Sequence, residues 1–247
     1  NSAPPASLLR LFYYIKKKIR TKIIITSGFV PRTKKYNEKL GFKINLMDHF
    51  FKITKKNSYK LLKVGKVPYQ KIKIKNNFYK ELTKKDFKDN KFKKLYKCSL
   101  PHKSNNFIIN RYIKHPIFKY NVFEVFDKRN TCIVVIRVIN LKKTSMIKIV
   151  DYIGKENNIS NIGNLIDYLE KKYKPEVIDF CSYGINSKYL KNLGFLDRRK
   201  FKNLIIPDHT SPLEKKNIDL FTGHIVSKKK EKFIRIMRGD GDRDRPS

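Results

Sequence analysis

The chain has 247 residues, enough for one large or two small folded units, and 40% of them are apolar, which supplies a core. Aromatic residues reach 13%, all Phe and Tyr, so the 32% charged content does not make a disordered chain. The net charge is +37, and the three cysteines (Cys98, Cys132, Cys181) are too few and too scattered for a disulfide framework and form no CxxC pair, so a cytoplasmic, metal-free protein is expected.

The charge is carried by 46 Lys and only 12 Arg. Lys, Ile and Asn all have A/T-rich codons, so genome composition accounts for much of the excess. The lysines are spread along the chain rather than gathered in a stripe, and no Arg-rich or aromatic reading motif accompanies them, which disfavours nucleic acid as the partner. Attraction to polyanions still follows from such a charge.

In chain order, residues 1–7 read as a cloning remnant or a linker and stand outside the fold. Residues 8–15 are apolar apart from Arg10 but far short of the roughly 20 needed to span a bilayer. Running into Lys16-Lys17-Lys18, they fit a helix packed on a sheet or an interfacial helix in peripheral contact with a membrane. Residues 22–29 are β-branched and apolar, as a buried strand is. Pro31 opens a helix closing at Leu40-Gly41-Phe42, where Gly41 supplies the left-handed residue after the last turn. Residues 44–53 are extended, and 55–103 form a Lys-rich connection with short extended pieces.

The second half is easier to parse. Residues 107–120 are helical, interrupted at His115-Pro116. Residues 121–127 and 131–140 form a hairpin across Lys128-Arg129-Asn130. A strand at 145–152 precedes a helix at 159–173, with Ile162, Leu165, Ile166 and Leu169 at helical spacing and Ser160 as its N-cap. Pro175 ends that helix. A strand at 177–183 and a short helix closing on Leu193-Gly194-Phe195 follow, then further strands. This order predicts an α/β (α+β) fold, a mixed sheet flanked by helices. The expected organisation is a partial N-terminal unit at 8–103 and a C-terminal domain at 104–247.

An internal echo supports two units. Residues 24–42 run strand, small polar turn, helix, Tyr36-x-x-x-Leu-Gly-Phe; residues 177–195 repeat that order and end Tyr189-x-x-x-Leu-Gly-Phe. The alternative is that many α/β proteins end helices this way.

The strand, helix and Leu-Gly-Phe closure, following a hairpin, a strand and a helix, resembles the second half of the GNAT acyltransferase superfamily. The paired units resemble tandem GNAT-like proteins. The segment from Arg238 to Pro246, with Ile149-Val-Asp-Tyr-Ile-Gly154, is most similar to uncharacterised members of bacterial surface-polysaccharide gene clusters. A full first unit needs more chain than stands before Gly41, so the natural N-terminus is expected to lie upstream.

The resemblance implies an acyl-CoA donor, acetyl-CoA or a related thioester, and an amino-sugar acceptor. Both the anionic donor and its carrier suit a basic chain. The superfamily's Arg/Gln-x-x-Gly-x-Gly/Ala pyrophosphate loop is not reproduced at 151–163, but Tyr152, Gly154, Lys155, Asn161 and Gly163 are the candidate cofactor-binding residues of that turn. The superfamily's acid Tyr falls at Leu190, with Tyr189 one residue away. Adjacent parallel strands splay in this architecture, and the ends of 145–152 and 177–183 then offer Asp151 as general base and Ser182 and Tyr183 as neighbours. Asp151 could equally be a loop carboxylate, and Cys181 a small buried hydrophobe.

Arg111 and His115 share a helix face at i and i+4 and could meet a substrate anion. Asp240 and Asp242 fit a solvated tail, an Asp–Arg network docking the C-terminus, or an acceptor site. The histidines show no metal-ligand spacing, so no metal is expected. The alternative function is a catalytically degenerate GNAT-like module that binds a polyanion: a sugar nucleotide, an acidic membrane face or RNA.

Overall fold

The computed structural model describes residues 7–19, 21, 23–29, 31–66, 77–141, 144–210 and 213–241. Helix α1 (Ser7–Ile19) leads into strand β1 (Ile23–Phe29). A short 3-10 turn at 31–33 and helix α2 (Lys34–Lys39) follow, then β2 (Lys43–Leu46) and β3 (Asp48–Ile53), two strands where one continuous extended stretch was expected. Met47 separates them and is buried beside Cys181 and Leu220. In the Lys-rich connection, β4 (Phe78–Glu81) and three 3-10 turns between 84 and 97 precede α3 (Asn105–Ile108), whose chain continues as a π-helix to Ile113.

Strands β5 (Asn121–Phe126), β6 (Thr131–Leu141) and β7 (Thr144–Ile153) form an antiparallel meander. Helix α4 (Gly163–Tyr173), β8 (Val177–Tyr183), α5 (Ser187–Lys191) and β9 (Leu196–Asp197) come next. Strand β10 (Phe221–Val226), helix α6 (Lys228–Glu231), the two-residue β11 (Ile236–Met237) and a 3-10 turn at 238–240 end the described chain. Helix α4 starts later than its apolar period suggests. Residues 156–161 coil into a 3-10 turn, and Ser160 bonds back to the Asn157 carbonyl at 2.9 Å instead of capping α4.

The eight-stranded sheet runs β4-β5-β6-β7-β8-β3-β9, with β11 pairing β8 off that path. All its pairings are antiparallel except β7 with β8. One face carries α4, where Leu165, Ile166 and Leu169 pack on Ile147, Ile149, Ile178 and Phe180. The opposite face of the meander carries the 84–113 region, with Phe87, Phe92, Ile108 and Tyr112 on Ile133, Val135 and Val150. A mixed sheet with helices on both faces is the arrangement the element order predicted.

The second, three-stranded sheet has the order β1-β10-β2. Its plan matches β8-β3-β9 in the large sheet. In each, the strand before a short helix and the strand after Leu-Gly-Phe flank a third, antiparallel strand. That third strand comes from the far half of the chain: β3 enters beside β8, and β10 enters beside β1. Gly41 and Gly194, with φ of 87° and 77°, turn the chain out of the two helices. The halves are therefore tied by a reciprocal exchange of strands.

Candidate functional site

The expected site lies where β7 and β8 part. Their parallel pairing runs from Met146↔Val177 to Ile149↔Phe180 and stops. A β-bulge against β6 falls between Ile149 and Asp151, so Val150 and Asp151 both turn toward the 84–113 region, while Tyr152 faces α4. The bulge thus delivers Asp151 to the gap.

The gap is filled by the chain itself. Past Phe180, β8 changes partner: Ser182 and Tyr183 pair with Met237 and Ile236 of β11. Met237 enters the α4-side core, and Gly239 sits so close that a Cβ there would come within 3.0 Å of Val150 Cγ1 and 3.1 Å of the Val150 carbonyl. Glu156 closes the mouth, accepting from the Asn186 amide and from Arg235 NH2 at 2.8 Å.

Asp151 is fully buried, and both of its oxygens are committed. Lys103 Nζ donates to them at 2.6 and 2.5 Å, the Tyr112 hydroxyl donates at 2.7 Å and the Tyr152 amide at 2.8 Å. Burial pushes its carboxyl up from the ordinary range, against the pull of Lys103. Lys103 also reaches Asp240 Oδ1 at 2.9 Å, and Asp240 Oδ2 accepts from the Met237 amide at 2.8 Å. Burial alone would lower Lys103; the two carboxylates raise it.

The other predicted residues are spread around this plug. Ser182 is buried between Asp48 and Met237. Tyr183 is half-buried with its ring 6.0 Å from His224, and burial raises its hydroxyl. Tyr189 packs against the α4-side core, with Lys188 5.0 Å over its ring. The Tyr152 hydroxyl donates to the Lys155 carbonyl at 2.7 Å, and the Lys155 side chain is exposed. Gly154 lies against β6, where an added Cβ would stand 2.8 Å from Cys132 Cβ. Asn161 is buried, its carbonyl accepting from Asn77 at 2.9 Å and its amide 3.4 Å from Asp127. Gly163 is the buried first residue of α4.

Arg111 and His115 part company. Arg111 donates to the Gly239 and Gly241 carbonyls at 3.3 and 2.7 Å, fastening the C-terminal segment. His115 Nδ1 accepts from the Ile117 and Phe118 amides at 3.2 and 3.0 Å, and the ring stacks on Phe118. Asp240 ties the C-terminal segment down through Lys103 and the Met237 amide rather than through the Asp–Arg network expected. Asp242 lies outside the described residues.

Sequence spacing gave no sign of a second buried cluster on the other side of the plug. Lys148 of β7, Asp179 and Cys181 of β8 and His49 of β3 face the same way at neighbouring register positions. Arg238 closes over them, bonding Asp208, Asp179 Oδ2 at 3.0 Å and Cys181 Sγ at 2.8 Å. Donor atoms of His49, Asp179 and Cys181 lie within 4.8 Å of one another, a set able to hold a metal ion. The Arg238 guanidinium sits on two of those three donors, with Lys148 3.6 Å from Asp208 beside it. His49 Nε2 is 3.3 Å from Asp179 Oδ2, an ionic contact without hydrogen-bond direction. Burial works against its charge, but Cys181 and Asp179 outweigh that and hold its pKa at about 9. Asp179 stays below the usual carboxylate range despite its burial, because Arg238, His49 and Lys148 surround it. Its donors come from strands more than a hundred residues apart, so no linear motif records them.

One open cavity borders Lys103. It measures about 340 Å³ and is lined by Lys93, Lys97, His102, Lys103, Ser104 and Asn105 among others, with no acidic residue. No helix of the described residues is long and apolar enough to cross a membrane.

No protein-family model matches the chain, and no curated protein matches it either. Among solved structures it is similar to the crystal structure of a GCN5-related N-acetyltransferase from Anabaena variabilis, with a TM-score of 0.52 and 11% identity. The match covers 88% of this chain and 49% of that one, so the chain spans about half the length of that protein. A functionally unknown conserved protein from Staphylococcus epidermidis aligns at a TM-score of 0.43 and 10% identity over 91% of this chain and 82% of that one. The first likeness, with the sheet order above, gives the chain a GNAT-like fold.

Proposed function

We propose that the protein is a GNAT-like binding module whose donor cleft is occupied by its own chain, and that its ligand is an anionic small molecule of the sugar-nucleotide class. The pairing of β11 with β8 inside the β7–β8 gap carries this reading. A thioester entering there would have to displace Met237 from the core and Arg238 from a buried cluster. Asp151 has no free oxygen with which to take a proton from an acceptor amine. The basic cavity beside Lys103 is the ligand's seat: Lys103 is already held by Asp151 and Asp240, but Lys93, Lys97 and His102 line the cavity with no acidic residue in its walls, which favours phosphate oxygens.

The other reading is an acyltransferase that moves an acyl group from acyl-CoA to an amino sugar in bacterial surface-polysaccharide synthesis. The observation in its favour is the splay itself, with a bulge that aims a carboxylate into it. It requires residues 234–240 to leave the gap.

Calorimetry at low and moderate salt separates the two. With UDP-N-acetylglucosamine as probe, binding that survives moderate salt and is lost in a Lys93→Glu/Lys97→Glu variant is expected, alongside no saturable binding of acetyl-CoA. Acetyl-CoA binding that survives moderate salt and is indifferent to those substitutions would transfer the case to the acyltransferase.

A further inference from the structure

Helix α1 leaves a line of described apolar side chains uncovered. Leu11, Ile15 and Ile19 recur every four residues, so they form a line along one side of the helix. They are 51%, 42% and 65% exposed. Phe12, at the margin of that line, meets the body of the protein at the Phe42 ring, with centroids 5.7 Å apart. Lys16 and Lys18 project on either flank of the apolar line, and Arg10 and Lys17 on the far side. Tyr13 and Tyr14 are exposed as well, and Lys18 lies 5.7 Å over the Tyr14 ring. No acidic residue occurs in the helix.

From this we infer that α1 is a membrane-surface helix, which lies in the headgroup region of an anionic bilayer with Leu11, Ile15 and Ile19 toward the acyl chains. The inference rests on α1 alone and stands whatever ligand the basic cavity takes. An uncovered apolar line on a soluble surface calls for a partner. Charge selects which one: Lys16 and Lys18 flank the line, Arg10 and Lys17 stand behind it, the helix has no carboxylate, and the net charge of the whole chain is +37. A protein partner of mixed charge gains little from these four cations, whereas an anionic lipid surface attracts each of them. Exposed tyrosines belong at the depth where a membrane changes from wet to apolar. At 13 residues the helix is too short to cross, so it lies flat.

The absence of Trp from the chain provides a clean reporter. The full protein carrying Tyr14→Trp is titrated with vesicles of phosphatidylcholine alone and with phosphatidylserine added. The expected result is a blue-shifted emission on the anionic vesicles, quenched by brominated acyl chains. Because so basic a chain adheres to anionic surfaces by charge alone, the deciding variant keeps every charge: Leu11→Ser/Ile15→Ser/Ile19→Ser lowers partitioning at least tenfold and abolishes the shift. Unchanged partitioning of that variant, or binding with no shift and no quenching, overturns the proposal and reduces the effect to electrostatic adhesion. A concentration-dependent dimer that the same triple substitution dissolves would also overturn it, by making the face an interface between two copies.

Discussion

Arg238 and Asp179 form an ion pair at 3.0 Å in which neither side chain is exposed. It fastens the segment that fills the β7–β8 gap to the strand from which the gap opens. Asp208 and Cys181 hold the same guanidinium, so a single residue anchors β11, β8 and the 207–210 turn together.

Replacing Arg238 by Met removes that anchor and leaves Asp179 and Asp208 buried with only His49 and Lys148 beside them. The expected loss of stability is about 3–5 kcal/mol, as for one partner taken from a buried pair. Urea denaturation measures it. A loss below about 1 kcal/mol would mean that the cluster carries no such charge separation.

Lys103 works on the other side of the plug, between Asp151 and Asp240. Lys103→Met should destabilise by a similar amount, and more at pH 8 than at pH 5. Burial already pushes the Asp151 carboxyl up, and the variant loses the lysine that opposes that push, so acid relieves its buried charge. Adding Asp151→Asn should recover part of the loss, which a double-mutant cycle reads as coupling.

His49 predicts a pH dependence of its own. Its folded pKa of about 9 lies above the ordinary 6.5, so its contribution is complete below pH 6.5 and is lost as pH rises through 9. The size of that change is up to roughly 3 kcal/mol. Unfolding free energy measured from pH 6 to 9.5 should fall across this window in the native protein, and His49→Gln should flatten the profile.

Gly239 and Gly65 form a matched pair of tests. A side chain at Gly239 would overlap the Tyr112 hydroxyl and press on Val150, whereas Gly65 has only Asn203 Cβ nearby, at 3.6 Å. Gly239→Val should cost about 1–3 kcal/mol and expose residues 234–240 to protease. Gly65→Val should stay within about 0.5 kcal/mol of the parent.

Much of the fold is legible in the sequence where local signals agree. The hairpin at Lys128-Arg129-Asn130, the 177–183 strand and the Leu-Gly-Phe closures are written in turn residues and period-two runs, and they stand where those signals put them. The strand exchange is not legible: β3 and β10 read as ordinary strands, and only tertiary pairing decides that each joins the other half's sheet. The two-residue β11 is too short for any periodicity. Asp151 was singled out for its strand-end position, but the lysine that seals it lies 48 residues earlier, in the Lys-rich stretch where one basic residue looks like every other.

Amide hydrogen exchange of residues 234–240, with and without acetyl-CoA, tests the filled cleft most directly. With the cleft filled, the Met237 amide, bonded to Asp240 and buried in the gap, exchanges only on global unfolding and is unmoved by acetyl-CoA. Fast exchange in the free protein, or exchange that acetyl-CoA accelerates there while protecting residues 151–163, would mean that the plug leaves the cleft and that an acyl donor takes its place.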